Sequence, residues 1–353
     1  MYKEEWKEKN MSEKNILITG CMGFIGTSLI IKLLKDSDYS IIGIDNMNDY
    51  YDVRLKEYRA EQIENNNLNR FVFVKGDITD KKLVEEIFEQ YKPQIVINLA
   101  AQAGVRYSIV NPDVYIQSNI VGFFNVLEAC RHNNNLQHFI FASSSSVYGN
   151  NKKTPYSTSD KTDEPVSLYA ATKKADEVIA FSYAKLYGIP ITGLRFFTVY
   201  GPMGRPDMAY YSFAEKLINK KKIELYNNGK NKRDFTYIGD VVNSLINIIK
   251  KVPEEDIDGM QYKIFNIGNK HPVETIELVS TLSKLLVKYE LLDLNFNLEN
   301  YVEFVTKQAG DVDITYADVE DLEKEINYSP NTDLAYGLEE FVKWFKNYKR
   351  LMK

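Results

Sequence analysis

The first half of the chain alternates short apolar runs with longer stretches in which apolar residues recur at helical spacing. Ile16–Thr19, SIIGID ending at Asp45, RFVFVKGDI (Arg70–Ile78), KPQIVINLAAQAG and HFIFASSSS read as strands, and their centres are almost wholly apolar. Such runs are buried on both faces, which is the condition of a parallel sheet covered by helices. Between them, TSLIIKLL, TDKKLVEEIFEQY and NIVGFFNVLEACRHN place Ile, Leu, Val and Phe on one helical stripe, the second behind a Thr-Asp cap. The rhythm predicts an α/β fold whose main part is a doubly wound parallel-sheet (Rossmann) domain, with ligands at the carboxyl ends of the strands. Past Arg195 it breaks. Pro202, Gly204 and Pro206 mark a loop, and the shorter elements beyond predict a smaller mixed α/β substrate-binding domain. The expected boundaries are 14–195 plus about 235–265 for the first domain and 196–234 plus about 266–353 for the second, with Tyr237 to Lys250 returning to the first as strand and helix. Residues 1–13 read as a charged extension, with Met11 available as an alternative start, and the last helix begins near Thr332 with a Leu, Phe and Trp stripe for the core.

Composition narrows the function classes. With 353 residues and a net charge of -5, the chain gives no case for nucleic acid or a membrane surface as partner. No apolar run approaches the roughly 20 residues that span a bilayer, and MYKEEWKEKN lacks the apolar core of a secretory signal. Cys21 and Cys130 are too few for a disulfide framework and read as structural thiols of a reducing, cytoplasmic compartment. His132, His138 and His271 stand alone, so no metal site is expected.

NILITGCMGFIGTSLIIKLL carries the first chemical signal. Its strand runs into Gly20, Gly23 and Gly26, with Phe24 and Ile25 opening a helix. Glycines there allow a tight turn and close backbone approach to a pyrophosphate resting on the helix N-terminus. The G-xx-G-xx-G spacing is typical of short-chain dehydrogenase/reductase proteins. The next strand ends in Asp45, followed by Asn46, where an acid accepts the adenine-side ribose hydroxyls. An acid there repels a ribose phosphate, which selects NAD over NADP. Asp77, Ile78 and the loop Leu99, Ala100, Ala101 and Gln102 follow the next strand ends and fall beside the same cofactor, with Asn119 placed to brace the helix that carries it.

The second signal is SSSSVYG, Ser143 to Gly149, followed by YAATK, Tyr169 to Lys173. A Tyr and a Lys four apart share one helix face, and an ammonium beside a phenol lowers its pKa from near ~10, making it a general base. Beside a serine cluster at a strand end, this is machinery for taking the proton of an alcohol while its hydride leaves.

Over nearly its whole length the chain resembles the extended short-chain dehydrogenase/reductases of the nucleotide-sugar epimerase group, and within them the UDP-glucuronate 4-epimerases. The resemblance rests on ITGCMGFIG, GIDNMNDYYDVRLKEYR, AAQAGVRYS, SSSSVYG, SLYAATKKA, LRFFTVYGPMGRPDMA, RDFTYIGD, FNIGN and AGDVDITYAD. Two departures stand out: Cys21-Met22 where small residues are usual, and Gln308-Ala309 where Gln-Pro is usual.

The resemblance implies interconversion of UDP-glucuronate and UDP-galacturonate by oxidation at C4, rotation of the 4-keto intermediate and re-reduction, on a tightly bound NAD regenerated each turnover. Tyr169 as phenolate takes the C4 hydroxyl proton, Lys173 supports it and holds the nicotinamide ribose, and Ser144 hydrogen-bonds the same oxygen. Related dehydratases carry Asp-Glu where this chain has Ser145 and Ser146, so its ketone is expected to return only to an alcohol. Thr198, Ser145 and Ser146, with Arg205 or Arg106, are expected to hold the C5 carboxylate; the alternative for each arginine is an ion pair pinning its loop, and Arg195 is read as structural. By the same resemblance Arg233 clamps the diphosphate, Tyr226 covers uracil and Asp311 accepts the uridine ribose hydroxyls. Helices Ile120 to His132 and Leu168 to Tyr187 commonly form a four-helix homodimer seam in this family. The alternatives are a UDP-hexose or UDP-N-acetylhexosamine 4-epimerase and, more distantly, a non-catalytic NAD-binding regulator, which the presence of Tyr169, Lys173 and Ser144 disfavours.

Overall fold

The structure, a computed structural model, describes residues 14–66, 69–306 and 312–352. From the N-terminal side come β1 (Asn15–Thr19), α1 (Phe24–Asp36), β2 (Ser40–Asp45), α2 (Val53–Glu64), β3 (Phe71–Lys75), α3 (Lys81–Tyr91) and β4 (Ile95–Asn98). Two short helical turns, α4 (Tyr107–Val110) and α5 (Asp113–Tyr115), lead through a π-helical stretch at Ile116–Gly122 into α6 (Phe123–Arg131). After β5 (His138–Ser144) and a 3-10 turn at Ser145–Tyr148 come α7 (Leu168–Tyr187) and β6 (Ile191–Phe196). The remainder is β7 (Thr198–Tyr200), α8 (Ala209–Ile218), β8 (Ile223–Tyr226), β9 (Lys232–Tyr237), α9 (Ile238–Ile249), β10 (Tyr262–Ile267), β11 (Pro272–Glu274), α10 (Thr275–Lys288), β12 (Val302–Val305), α11 (Glu320–Ile326) and α12 (Leu334–Leu351).

The strands of the first part form a sheet in the order β3-β2-β1-β4-β5-β6-β10. Pairings of β2 with β1 and β3, and of β4 with β1 and β5, are parallel. This is the doubly wound arrangement expected, and the order reverses between β1 and β4, where such sheets bind their ligands. All six residues of β2 and all four of β4 are buried, the consequence of helices on both faces. In α3 the buried Val84, Ile87, Phe88 and Tyr91 form one stripe, and Asp80 caps the start by accepting from Leu83 N. Ser167 caps α7 by accepting from Ala170 N, and Gly188 at φ 64° ends it.

Two compact units result. Of the described residues, the first takes those up to Gly149, Thr162–Arg195 and Leu245–Phe265, and the second takes Asn150–Lys161, Phe196–Ser244 and those from Asn266 onward. These limits differ from the expected ones at two places, and backbone pairing is the reason at both. Lys232–Tyr237 is the middle strand of a three-stranded sheet, β11-β9-β7, which draws residues 235–244 into the second unit. Residues 150–161 go there because Tyr156 N donates to Tyr316 O at 2.7 Å and Asp318 N to Tyr156 O at 3.0 Å. Each unit has its own core. The first packs residues such as Leu17, Ile42, Phe123, Phe139 and Phe141. The second packs Tyr210, Leu225, Leu282 and Val342 with Leu338, Phe341 and Phe345 of α12, the stripe expected to be core. Strand β3 is shorter than expected, and the helix expected from Asn119 onward begins as a π-helix instead.

Candidate active site

The glycine turn leaves no room for side chains. Gly20 sits at φ +67°, and a Cβ on it would lie 2.8 Å from Ala100 N; a Cβ on Gly26 would lie 2.4 Å from Gly20 O. Gly20 N donates to Ile44 O at 2.8 Å, so the turn is tied to the adjacent strand, and Gly23 begins α1 with no side-chain cap. The unusual Cys21 and Met22 are both buried, and the sheet accommodates them. A Cβ on Gly43 would meet the Cys21 thiol at 2.8 Å, so a glycine across the sheet makes the space. Burial and the nearby Asp45 push that thiol's pKa well up, leaving it protonated and inert.

Asp45 ends β2 with a carboxylate that accepts from Met22 N at 3.0 Å and Met47 N at 2.9 Å, with Lys56 Nζ at 3.7 Å. A carboxylate offers about four acceptor positions, so these partners leave capacity for a ribose hydroxyl. Together with the cramped glycine turn and an uncapped helix start, the residues fit NAD. Asn46 donates to Asp77 at 2.7 Å, joining the ends of β2 and β3. Although burial opposes it, that bond and two from Thr79 hold the Asp77 carboxyl below the ordinary range. Ile78 is buried and its carbonyl accepts from Asn125 Nδ2 at 3.0 Å.

Asn119, expected to brace its helix, instead ties a loop to a neighbouring helix. Its Oδ1 accepts from Gln102 N at 2.8 Å, and its Nδ2 donates to Gln102 O and Thr172 Oγ1, both at 3.0 Å. One side chain thus fixes the Leu99–Gln102 loop against the turn of α7 that precedes Lys173. It lies in the π-helical stretch Ile116–Gly122, a rare backbone form frequent at functional sites. Thr19 and Asn98 were also missed: Thr19 Oγ1 donates to Asn98 Oδ1 at 2.7 Å and accepts from Ala100 N at 3.1 Å. Their position at strand ends beside the glycine loop was the available signal.

Tyr169 is half-buried near the start of α7, and Lys173 one turn later is buried. The Tyr169 ring meets that of Tyr115 edge-on, centroids 6.1 Å apart, and the Tyr115 hydroxyl is tied to Ala103 O at 3.1 Å and also to Gly104 O. Ser144 ends β5 with Oγ accepting from Ser146 Oγ at 2.9 Å and Ser146 N at 3.2 Å; Ser145 is half-buried beside them. Behind them, Ser143 Oγ donates to Glu177 at 2.7 Å. Arg195 grips Glu177 through Nε at 2.8 Å and Nη2 at 2.9 Å and donates to the Tyr148 hydroxyl at 3.0 Å, the structural pin expected of it. Arg106 is exposed at the start of α4.

The other expected substrate residues lie in the second unit. Thr198 opens β7 and pairs with Phe235 of β9, which also carries Arg233. Arg233 is half-buried and donates to Lys232 O at 3.0 Å. Arg205 is held by Asp207 through Nε at 3.0 Å and through Nη2, the loop-pinning pair that was the alternative to a substrate role. Tyr226 lies on a different sheet, where β8 pairs with β12, and donates to Glu224 at 2.8 Å. Asp311, and with it Gln308-Ala309 and residues 1–13, lies outside the described residues. In the RDF block the buried Asp234 is a bracket, accepting from Asn269 N at 2.7 Å, Ala317 N at 3.0 Å and Lys270 N at 3.1 Å.

A parallel sheet with a glycine turn at its switch point and a Tyr-xxx-Lys helix behind a serine-bearing strand end defines a dinucleotide-dependent enzyme acting on alcohols. The GDP-mannose 4,6 dehydratase family profile matches residues 17–341. Protein CapI of Staphylococcus aureus is 46% identical over 94% of this chain and 98% of its own length. UDP-glucuronate 4-epimerase 2 of Arabidopsis thaliana is 43% identical over 95% of this chain and 76% of its own. Among solved structures, UDP-glucuronic acid 4-epimerase from Bacillus cereus, in complex with UDP-glucuronic acid and NAD, superimposes with a TM-score of 0.83 at 31% identity, covering 95% of this chain and 99% of that one. The chain belongs to the family of that profile, the extended short-chain dehydrogenase/reductases that act on nucleotide sugars, with UDP-glucuronate 4-epimerases among its relatives.

Proposed function

We propose that this chain interconverts UDP-glucuronate and UDP-galacturonate as an NAD-dependent 4-epimerase. NAD, when bound, supplies the chemistry of accepting the C4 hydride and returning it to the opposite face of the sugar. The observation that carries the reading is Tyr169 and Lys173 on one face of α7, with Ser144 at the end of β5 and serines, not carboxylates, at 145 and 146. Tyr169 takes the C4 hydroxyl proton and later returns it, Lys173 keeps positive charge beside it, and Ser144 orients the same oxygen. Without an acid or base at 145 and 146, the neighbouring carbons keep their protons. Incubation with UDP-glucuronate and no added NAD, with products separated by chromatography, tests the whole reading; no UDP-galacturonate, or a preference for UDP-glucose or UDP-N-acetylglucosamine, replaces it with a neutral-sugar epimerase.

The cofactor residues give a first quantitative expectation. Asp45→Ala removes the carboxylate that would accept the ribose hydroxyls, and hydrogen bonds to charged groups of this kind correspond to a loss of about 10- to 100-fold in NAD affinity. Denatured variant that releases as much NAD as the parent excludes the role.

The uronate gives a second. A ketone at C4 beside the C5 carboxylate is a β-keto acid, which loses carbon dioxide when the carboxylate stands perpendicular to the carbonyl plane. Thr198, aided by Ser145, Ser146 and by Arg205 or Arg106, holds it away from that geometry in this reading, while Arg233 meets the diphosphate, Tyr226 the uracil and Asp311 the uridine ribose. Thr198→Ala or Arg205→Ala should slow epimerisation, release UDP-4-keto-pentose and leave the near-ultraviolet absorbance of reduced nicotinamide growing with time. Normal epimerisation by both variants, with no such absorbance, removes these two residues from carboxylate binding.

A homodimer belongs to the same reading. It is supported by apolar side chains exposed on the helices concerned, Phe124 on α6 and Val178, Phe181, Leu186 and Tyr187 on α7. Sedimentation as a monomer at micromolar concentration would count against it. The location implied is the cytoplasm, where NAD and nucleotide sugars are found; recovery of the protein in another cell fraction would overturn that. Among the described residues no helix is long and apolar enough to cross a membrane.

A further inference from the structure

Among the described residues, Asp176 is a carboxylate in contact with the proposed catalytic pair that no role yet uses. It stands one turn after Lys173 on α7, with Oδ2 3.1 Å from Lys173 Nζ, and the two side chains are 0% and 2% exposed. Its other oxygen, Oδ1, is buried with no partner among the described residues. An ammonium that must support a phenolate is therefore shared with a carboxylate that water does not screen.

We infer that Asp176 is a positioning residue that decides how much of the Lys173 charge is available to Tyr169. The inference rests on the reading of Tyr169 as base. With Asp176 ionised, its charge offsets that of Lys173 and holds Nζ on the Asp176 side; with Asp176 protonated, the full positive charge serves the Tyr169 oxygen. Burial drives the Asp176 carboxyl up to about 7, against the pull of Lys173 and with a further push from Glu177, so both forms occur near neutrality. The other ionisable groups around this part of α7 are already engaged. Glu177 is held by Arg195 of β6, whose Nη1 reaches the Tyr148 hydroxyl; Tyr115 packs on Tyr169; Glu128 of α6 accepts from Tyr183. Asp176 is thus the carboxylate that faces Lys173 Nζ directly.

Asp176→Asn keeps the shape and removes the charge. In the parent, kcat should rise with pH over more than one ionisation step; in the variant it should rise in one step, its midpoint roughly one pH unit lower, with KM for UDP-glucuronate unchanged. Asp176→Ser should give the same change, which guards against an effect of the amide. Melting temperature supplies a readout independent of turnover. A carboxyl whose folded pKa is raised keeps its proton in the native state while the unfolded chain loses it, so its cost to stability grows from about pH 4 to about pH 7 and is full above that. Asp176→Asn should therefore gain a few degrees on the parent between pH 5 and pH 8. Superimposable kcat profiles, alongside an inactive Tyr169→Phe, overturn the inference and leave the base reading standing; an active Tyr169→Phe takes both away. A variant less stable than the parent by the same amount at pH 5 and pH 8 marks a purely structural ion pair and also overturns it.

Discussion

Replacing Tyr169 by Phe should leave the protein folded, loaded with NAD and able to bind UDP-glucuronate, while turnover falls by a factor of roughly 10²–10⁴, the usual contribution of a positioned acid-base group. The expectation follows from geometry on both sides of the ring. Tyr115 holds the ring edge-on and is itself anchored to the Ala103 and Gly104 carbonyls, so the Phe ring keeps its place. Only the hydroxyl is lost, and neither neighbour can carry the proton in its stead, because an ammonium such as that of Lys173 has no lone pair to accept it and the Ser144 hydroxyl is a far weaker base than a phenolate. Substrate affinity should stay within a few-fold of the parent, and the loss should fall on kcat. Steady-state rates by chromatographic assay, with substrate binding measured by calorimetry, decide the matter. Near-parent turnover in a variant that binds substrate means that another group is the base.

The second large effect is on stability. Arg195→Met removes a guanidinium that makes two bonds to Glu177 and one to Tyr148, all buried behind the catalytic strand end. Glu177 would keep Ser143 and Lys174 Nζ at 3.5 Å as partners. Breaking one side of a buried pair leaves the other charge uncompensated and typically costs about 3–5 kcal/mol. Ser143 at the end of β5 donates to the same carboxylate, so a shift of Glu177 reaches the strand end that carries Ser144, and activity should fall together with stability. Denaturant unfolding followed by circular dichroism should show the loss, and Glu177→Gln combined with Arg195→Met should recover part of it. A single-variant change below about 1 kcal/mol would mean that Lys174 and water compensate Glu177, and that Arg195 is no anchor.

Much of this site could be read from the chain because the features that encode it are local. The glycine turn depends on three residues within one loop, Asp45 on the end of one apolar run, and Tyr169 with Lys173 on one turn of helix. The pairings that hold these parts together were out of reach. Asn119 bonds to Gln102, 17 residues away, and to Thr172, 53 away; Thr19 meets Asn98 at a separation of 79. Nothing in an asparagine or threonine says which distant backbone it will meet. Asp176 is the instructive case, since its spacing from Lys173 is local and visible, but burial gives that spacing its weight, and burial is a property of the packed helix.

The division is also one of physics. Hydrophobic period and turn chemistry act between neighbours, so the sequence by itself determined the strand runs, the helical stripes, the φ-positive glycine turn and the face shared by Tyr169 and Lys173. A strand's own pattern does not say which strand it will pair with, so only the tertiary structure decided that Lys232–Tyr237 joins β7 and β11 and that residues 150–161 pair near Tyr316. The same holds for charge. Whether a carboxylate is a solvated ornament or an ion felt across the site depends on the dielectric around it, and packing alone set that for Asp176, Glu177 and Arg195.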